Sequence, residues 1–248
     1  MTPRGVGGDD SGTMKPLKTL GMVGAMALLP VSAHAAVLYN GFGSSTVGAT
    51  TPDGWTAAGS SGSGSSSITG DHYLSMTAGN TSVFSHFNTG TGIDRTAGQG
   101  FKLTSTFSST SGGGQYENTG FYFMNSSDGN TSGPRVLFNM GSALTGTLEF
   151  AGTSGNVNGT MGATKYGELE TAGAIYTLTL TGIFSSGNVL NLTATLTNNI
   201  DSTVVTSTST LNSPAGNYFG IRTAAGGTGT NPSADALHRS YVLETIPE

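Results

Sequence analysis

The sequence predicts an all-β protein, a two-sheet antiparallel β-sandwich of jelly-roll type, and three observations lead to this prediction. Apolar and polar residues alternate with a period of two along many short segments, as in strands with one buried face. Clusters of Gly, Asn and Ser separate these segments, and 40 of the 248 residues are glycine. Charged residues make up only 9% of the chain, against ~25% in a typical soluble domain, and no segment shows a helical period.

The strand candidates are spaced closely along the chain, and two polar segments between them, Ser60–Ser67 and Gly226–Ser233, predict loops. A right-handed β-helix is the rival architecture, but it requires a regular short repeat, and we find none. The predicted strands are Ala36–Asn40, His72–Thr77, Val83–His86, Phe101–Phe107, Thr119–Met124, Arg135–Met140, Leu144–Phe150, Tyr176–Thr181, Val189–Thr197, Thr203–Thr210, Asn217–Arg222 and Arg239–Ile246.

The clearest alternation predicts an antiparallel hairpin. Apolar residues and threonines alternate along Tyr176–Thr181 and again along Val189–Thr197, and Gly182–Asn188 supplies a turn region between them. Successive side chains of a strand point to opposite faces. We therefore expect Leu190, Leu192, Ala194 and Leu196 to share a buried face, opposite a face coated with Thr and Asn.

The N-terminal region predicts a secretory leader. Lys15 and Lys18 precede the apolar run Leu20–Val31, which is too short to span a bilayer, and Ala33-His34-Ala35 forms an A-x-A cleavage site before Ala36. We interpret residues 1–13 as an over-extended start, 14–35 as the signal peptide, and 36–246 as one β-sandwich domain. The mature protein is then expected to be secreted, without a transmembrane segment.

Charge and cysteine content exclude several functions. The formal net charge is -5 and the pI is about 5.2, so the basic surface that nucleic-acid binding needs is missing. The chain has no Cys, which excludes disulfides, thiolate nucleophiles, zinc–thiolate sites and iron–sulfur clusters. Neutral strand faces of Thr, Ser and Asn suit an extracellular polysaccharide matrix or a self-associating protein.

The last residues carry a family resemblance. The predicted final strand, Arg239–Ile246, is followed by Pro247-Glu248, which resembles the start of the Pro-Glu-Pro sorting tag of bacterial PEP-CTERM proteins. In that family the tag continues into a membrane helix and a basic cluster, and an exosortase is thought to cut it. The resemblance implies sorting to the outer envelope of a Gram-negative-type bacterium, with the secretion machinery and an exosortase as partners.

The body of the chain resembles concanavalin A-like, or laminin-G-like, jelly rolls. The resemblance rests on YTLTLTG at Tyr176–Gly182, LNLTATLTN at Leu190–Asn198 and NYFGIRTA at Asn217–Ala224. That fold includes lectins, polysaccharide hydrolases and modules without a known ligand, so it does not by itself settle the function.

One pair of acids fits the spacing of catalytic carboxylates. Secreted glucanases of this fold carry Glu-x-Asp-x-Glu on one strand, and the nearest match is Glu168-Leu169-Glu170. The central Asp is missing and the flanking residues are typical of a turn, so a solvated acidic loop is favoured. His72, His86 and His238 have no metal-ligand spacing, and a packed or hydrogen-bonded role is favoured for His86.

Four residues are candidate ligand contacts. Trp55 follows a Pro-Asp-Gly turn and fits either a sugar platform together with Tyr73 or Tyr122 or, preferably, a core aromatic. Asp128 and Asn130 place oxygen atoms in a loop that fits Ca²⁺, although a hairpin loop with Asx turns is favoured because the segment has one carboxylate. Arg135 follows that loop and either faces a ligand or starts a strand.

These observations predict a secreted, non-enzymatic protein of the cell surface or the exopolysaccharide matrix. No catalytic residue, metal site or cofactor is assigned, with Ca²⁺ as the one ion considered. The first alternative is a carbohydrate-binding, lectin-like module, and the second is a divergent glycoside hydrolase that uses Glu168 and Glu170.

Overall fold

The computed structural model describes residues 35–59, 64–79, 83–89, 92–111, 117–125, 133–140, 146–152, 175–226 and 233–247, all within one compact unit, Ala33–Glu248. Within these ranges the chain forms strands and turns without a helix. The strands are β1 Val37–Asn40, β2 Thr56–Gly59, β3 Gly64–Ile68, β4 Leu74–Gly79, β5 Val83–Thr89, β6 Gly100–Ser111, β7 Asn118–Asn125, β8 Arg135–Asn139, β9 Thr147–Ala151, β10 Tyr176–Ser185, β11 Val189–Asn198, β12 Val204–Asn212, β13 Tyr218–Ala224, β14 Ser233–His238 and β15 Val242–Ile246.

The strands form two antiparallel sheets, as the alternating pattern predicts. Sheet A has the order β12-β11-β10-β6-β14-β4-β3, with β15 also beside β6 and β1 beside β15. Sheet B has the order β2-β5-β13-β7-β8-β9. The predicted all-β sandwich is therefore confirmed, and the β-helix is excluded.

Strand β6 lies at the centre of sheet A, and its pairing changes the bounds of one predicted strand. One edge of β6 pairs with β10, and the other pairs with β15 over Gly100–Thr104 and with β14 over Phe107–Ser111. Between β14 and β15 the backbone N–H groups of Arg239 and Ser240 both donate to Thr106 O. The predicted strand Arg239–Ile246 is confirmed from Val242 to Ile246, but its first three residues form this jog instead.

The hairpin β10–β11 is confirmed, although its turn is shorter than predicted. Leu178 lies opposite Leu196, and the four predicted inward residues of β11 are all buried. However, β10 continues through Ser185, and only residues 186–188 turn. Gly182 is not a turn residue, because it lies opposite Phe101 on β6 and leaves room for that ring.

Part of the predicted loop Ser60–Ser67 is a strand. β3 pairs with β4 in register, and Ser66 is buried, with its Oγ donating to Thr50 O at 2.6 Å. The segment lacks apolar alternation, so its strand character comes from sheet pairing rather than from sequence pattern. Strands β2 and β14 were not predicted either, and Ser233, placed in a loop, begins β14.

Aromatic side chains fill the space between the sheets. Phe101 of sheet A packs edge-to-face on Phe219 of sheet B, with ring centroids 4.8 Å apart. Phe138 of sheet B lies 5.3 Å from the Tyr176 ring of sheet A. These contacts join the sheets into one core.

The outer faces of the two sheets differ. On sheet A the outward residues of β10, β11 and β12 are mostly threonines, and they are exposed or partly exposed, as predicted. On sheet B, by contrast, every residue from Phe219 to Ala224 of β13 is buried. Strand β7 is also buried on both faces from Asn118 to Met124. Polar residues of β7 and β13 on the outer face of sheet B are therefore held away from water.

Candidate functional site

The outer face of sheet B carries a polar cluster that consists of Tyr122, Arg135, Asn139, Glu149 and Arg222, which we call the outer cluster. Alternation along the strands places these residues there: Phe219 and Ile221 of β13 belong to the core, so Arg222 lies on the opposite face. The pairing register places these residues side by side, because Tyr122 lies opposite Gly220 on β13 and opposite Arg135 on β8.

Arg222 is the most unusual residue of the cluster. Its side chain is 8% exposed, and its Nη1 lies 3.5 Å from Tyr122 Oη. Its Cζ lies 5.8 Å from the centre of the Tyr122 ring, within cation–π range. Its Nε has no hydrogen-bond partner, and no ion pair to Arg222 occurs among the residues that the structure describes. Buried arginines normally pair with a carboxylate.

The electrostatics of the cluster reflect this burial. Desolvation lowers the pKa of the Arg222 guanidinium, because burial disfavours the charged form, and nearby Arg135 lowers it further. Tyr122 and Glu149 oppose the shift. An arginine nevertheless stays protonated in proteins, so the site keeps a buried positive charge.

Arg135, a ligand candidate from the sequence, lies in this cluster. It is partly exposed, and its Nη1 donates to Gly133 O at 3.0 Å, whereas its Nε has no partner. The pair Arg135 and Arg222 therefore places two positive charges near the Tyr122 ring, one partly exposed and one buried.

Hydrogen-bonding groups border the arginines on β8 and β9. Asn139, which is 4% exposed, donates through Nδ2 to Glu149 Oε2 and to Thr147 Oγ1, both at 3.0 Å. Glu149 is partly exposed. On neighbouring β7, the buried Oδ1 of Asn118 has no partner. The cluster thus combines a phenol, two guanidinium groups, a carboxylate and an amide, which is a set of groups that can hold a polar ligand.

Trp55 lies in the core rather than on a ligand surface. It is 8% exposed, and its ring centroid lies 5.0 Å from Tyr39 and 4.8 Å from Tyr241, both edge-to-face. Gly54, with φ 78°, allows the turn that directs Trp55 inward. This is the arrangement that the turn-and-core interpretation predicts.

Several other predicted residues fall outside the described residues. They include Asp128 and Asn130 of the calcium candidate, Glu168 and Glu170 of the hydrolase candidate, and Ala33 and Glu248. The side chain of His86 also lies outside the description, whereas Ala35 and Ala36 are exposed and Pro247 is partly exposed. Among the described residues, no group of three His, Cys, Asp or Glu could hold a metal ion.

His238 is buried between the sheets and has a structural role. Its Nδ1 lies 3.0 Å from Ser105 Oγ on sheet A, and its Nε2 lies 3.2 Å from Thr119 Oγ1 on sheet B. Ser105 donates in turn to Ser240 O at 2.6 Å. The imidazole therefore links the two sheets through hydroxyl groups, which satisfies a polar side chain in the core. His72 is partly buried, with Nδ1 3.1 Å from Ser45 O.

Comparison with solved structures identifies the architecture. No protein-family model matches the sequence, and no curated protein matches it. Lectin I-B4 from Griffonia simplicifolia, in a metal-free form, matches with a TM-score of 0.54 and 12% identity, over 87% of this chain and 100% of that chain. The fold is that of the legume lectins.

Two further structures share this legume-lectin fold. Arcelin-5, a lectin-like defense protein from Phaseolus vulgaris, matches with a TM-score of 0.53 and 14% identity, covering 87% of this chain and all of that chain. Lectin II from Ulex europaeus matches with a TM-score of 0.52 and 13% identity, covering 84% and 98%. The expected concanavalin A-like jelly roll is confirmed. At these identities the likeness defines the legume-lectin fold and leaves the function to the site.

Arg222, Asn139 and Glu149 were not predicted as site residues from the sequence. The available signal was a charged residue inside a short apolar strand, in Tyr218–Ala224. A lone Arg in such a strand points to a buried charge only if both faces of the sheet are covered, and the sequence does not show that.

Proposed function

We propose that the protein is a secreted, non-enzymatic carbohydrate-binding module of lectin-like type, which acts at the cell surface or in the exopolysaccharide matrix. The fold shared with lectins supports this proposal, and so do the neutral, threonine-coated strands of sheet A. Extracellular polysaccharide is the proposed partner.

The observation that carries the proposal is the buried, unpaired guanidinium of Arg222 within the outer cluster. Sugar sites use a few fixed polar groups that bond to hydroxyls and set orientation. Tyr122 is fully buried and holds Arg222, while Asn139 and Glu149 are held in place by their mutual hydrogen bond.

A binding role is favoured over hydrolysis by the composition of the cluster. Glycoside hydrolysis normally uses two carboxylates that flank the scissile bond. In the outer cluster Glu149 is the only carboxylate, and it accepts a hydrogen bond from Asn139. Fixed polar groups of this kind serve recognition.

The test is a binding screen. Purified protein is measured against neutral and acidic polysaccharides by affinity electrophoresis and calorimetry, with and without Ca²⁺. We expect binding to at least one polysaccharide, and we expect Asn139→Ala to weaken it by about 10-fold, because a hydrogen-bonding group of the site is lost. Thr208→Ala, on the exposed face of sheet A, is the matched control and should leave binding unchanged. Failure to bind any polysaccharide under either condition would overturn the proposal.

Secretion and sorting are part of the same proposal, and the N-terminal leader and Pro247-Glu248 support them. The described residues include no helix that is long and apolar enough to cross a membrane. The extracellular protein should begin at Ala36 by N-terminal sequencing, and loss of the exosortase should change how much protein reaches the cell surface. An intracellular protein that retains residues 14–35 would contradict this assignment.

A further inference from the structure

We propose, building on the carbohydrate-binding function above, that the saccharide ligand is acidic and that Arg222 binds its carboxylate, with Arg135 as the second cation of the subsite. The ligand class is then a uronate-containing polysaccharide rather than a neutral one. The inference rests on the unpaired charge, the buried Nε that has no hydrogen-bond partner and the composition of its surroundings.

Among the residues that the structure describes, no direct ion pair compensates the charge of Arg222. It is 8% exposed, and its one hydrogen bond among the described residues goes to Tyr122 Oη, at the long distance of 3.5 Å. A buried charge without a partner is costly, and a fold tolerates it where a ligand supplies the opposite charge. A neutral sugar would leave that charge uncompensated.

The guanidinium also has an edge free for a carboxylate. Nη1 is turned to Tyr122, whereas Nε has no partner. Nε and Nη2 form the side-on edge of a guanidinium, and two parallel N–H groups on that edge match the two oxygens of a carboxylate. The free edge of Arg222 therefore fits this bidentate pair.

A second cation, Arg135, lies close enough to Arg222 to act on its charge, and one acid, Glu149, opposes it. Arg135 repels Arg222, and the Nε of Arg135 is also without a partner. The nearest attractive acid, Glu149, already accepts a hydrogen bond from Asn139 Nδ2 at 3.0 Å. An incoming anion relieves the repulsion between the two arginines, and Arg135 is the partly exposed one of the pair.

The experiment compares polymers that differ in charge. The probes are polygalacturonate, its methyl ester, alginate, hyaluronate, dextran and dextran sulfate, and calorimetry at two salt concentrations gives the affinities. We expect at least one uronate polymer to bind about 10-fold or more tightly than dextran. If that polymer is polygalacturonate, its methyl ester should bind about 10-fold more weakly, because esterification removes the charge. Binding should weaken at high salt.

Single substitutions test which residues recognise the negative charge of the polymer. Arg222→Met and Arg135→Gln should each remove the preference for the acidic polymer, and Arg222→Lys should restore only part of it because an ammonium lacks the planar fork. Lys102→Met removes a positive charge from the exposed face of sheet A and is the control that should bind like the wild type. A cooperative thermal unfolding transition shows that each variant is folded. If Arg222→Met does not fold, Arg135→Gln, at a partly exposed position, tests the charge recognition in its place.

The possible outcomes bear separately on the two proposals, the acidic ligand and the carbohydrate-binding function. Equal binding of neutral and acidic polymers would overturn the acidic ligand but leave the carbohydrate-binding function standing. Binding of dextran sulfate without any uronate would assign the subsite to sulfate and overturn the carboxylate. Loss of acidic binding in Lys102→Met but not in Arg222→Met would place recognition elsewhere. No binding to any of the polymers would overturn both proposals.

Discussion

In the outer cluster, which is the proposed binding site, the arrangement of single residues lowers the stability of the free protein. Arg222 and Arg135 lie close enough to repel each other, and Tyr122 gives Arg222 a single long hydrogen bond. Such an arrangement favours ligand binding over stability of the free protein. The trade-off can be measured at the residue itself.

Replacing Arg222 with Met should stabilise the free protein. The substitution removes a buried, unpaired charge and keeps an unbranched side chain of similar length, so we expect the free energy of unfolding to rise by about 1–4 kcal/mol. Urea unfolding measures this change. In the described part of the chain Lys102 makes one ion pair, an exposed contact of 3.8 Å to Glu244, so the control Lys102→Met should change stability by less than about 0.5 kcal/mol. A lower stability of Arg222→Met would mean that the guanidinium is paired in solution.

At the scale of single elements, the strands differ in how far local sequence determines them. The hairpin β10–β11 could be predicted because its apolar residues alternate without a break and its strands are neighbours in the chain. Strand β3, with the sequence GSSSI, could not be predicted, because only its pairing with β4 defines it. The end of β10 likewise depends on a partner, since Gly182 faces the Phe101 ring.

Adding a methyl group at Gly182 tests this cross-strand fit. A Cβ at Gly182 would lie 2.6 Å from Phe101 Cε1, and that ring is wholly buried against Phe219. We expect Gly182→Ala to lower the free energy of unfolding by about 1–3 kcal/mol, as overpacking does. Gly70→Ala is the matched control, because no atom lies within 4 Å of the added group. Equal stability of the two variants in urea unfolding would show that the Phe101 ring moves aside freely.

At the scale of the whole molecule, the aromatic core links stability to alkaline pH. Burial raises the pKa of Tyr176 to about 12, and Asp201 adds to the shift. Burial also raises the pKa of Tyr39, and it raises that of Tyr241 well above its usual value. Because the folded protein holds these protons more tightly than the unfolded chain, the stabilisation is complete below pH 10 and decreases as pH rises toward 12.

The variant Tyr176→Phe should reduce this pH dependence. The Tyr176 hydroxyl is buried without a hydrogen-bond partner, so its removal should cost little stability at pH 7. Urea unfolding at pH 7 and at about pH 11 compares the two proteins, and we expect the wild type to lose more stability than the variant between these values. Equal losses would show that Tyr176 remains protonated or becomes hydrated without unfolding.

The sequence by itself determined the class of fold, because period-two alternation and Gly-rich turns are local properties that each strand carries. It also placed Arg135 among the ligand candidates. The tertiary structure alone decided that Arg222, Tyr122, Asn139 and Glu149 meet. The residues of the outer cluster lie on four strands, β7, β8, β9 and β13, and Arg222 is separated from Tyr122 by 100 positions in the chain. Whether the charge of Arg222 lies in water or in a buried site depends on what covers its sheet, and that is a property of the packed molecule.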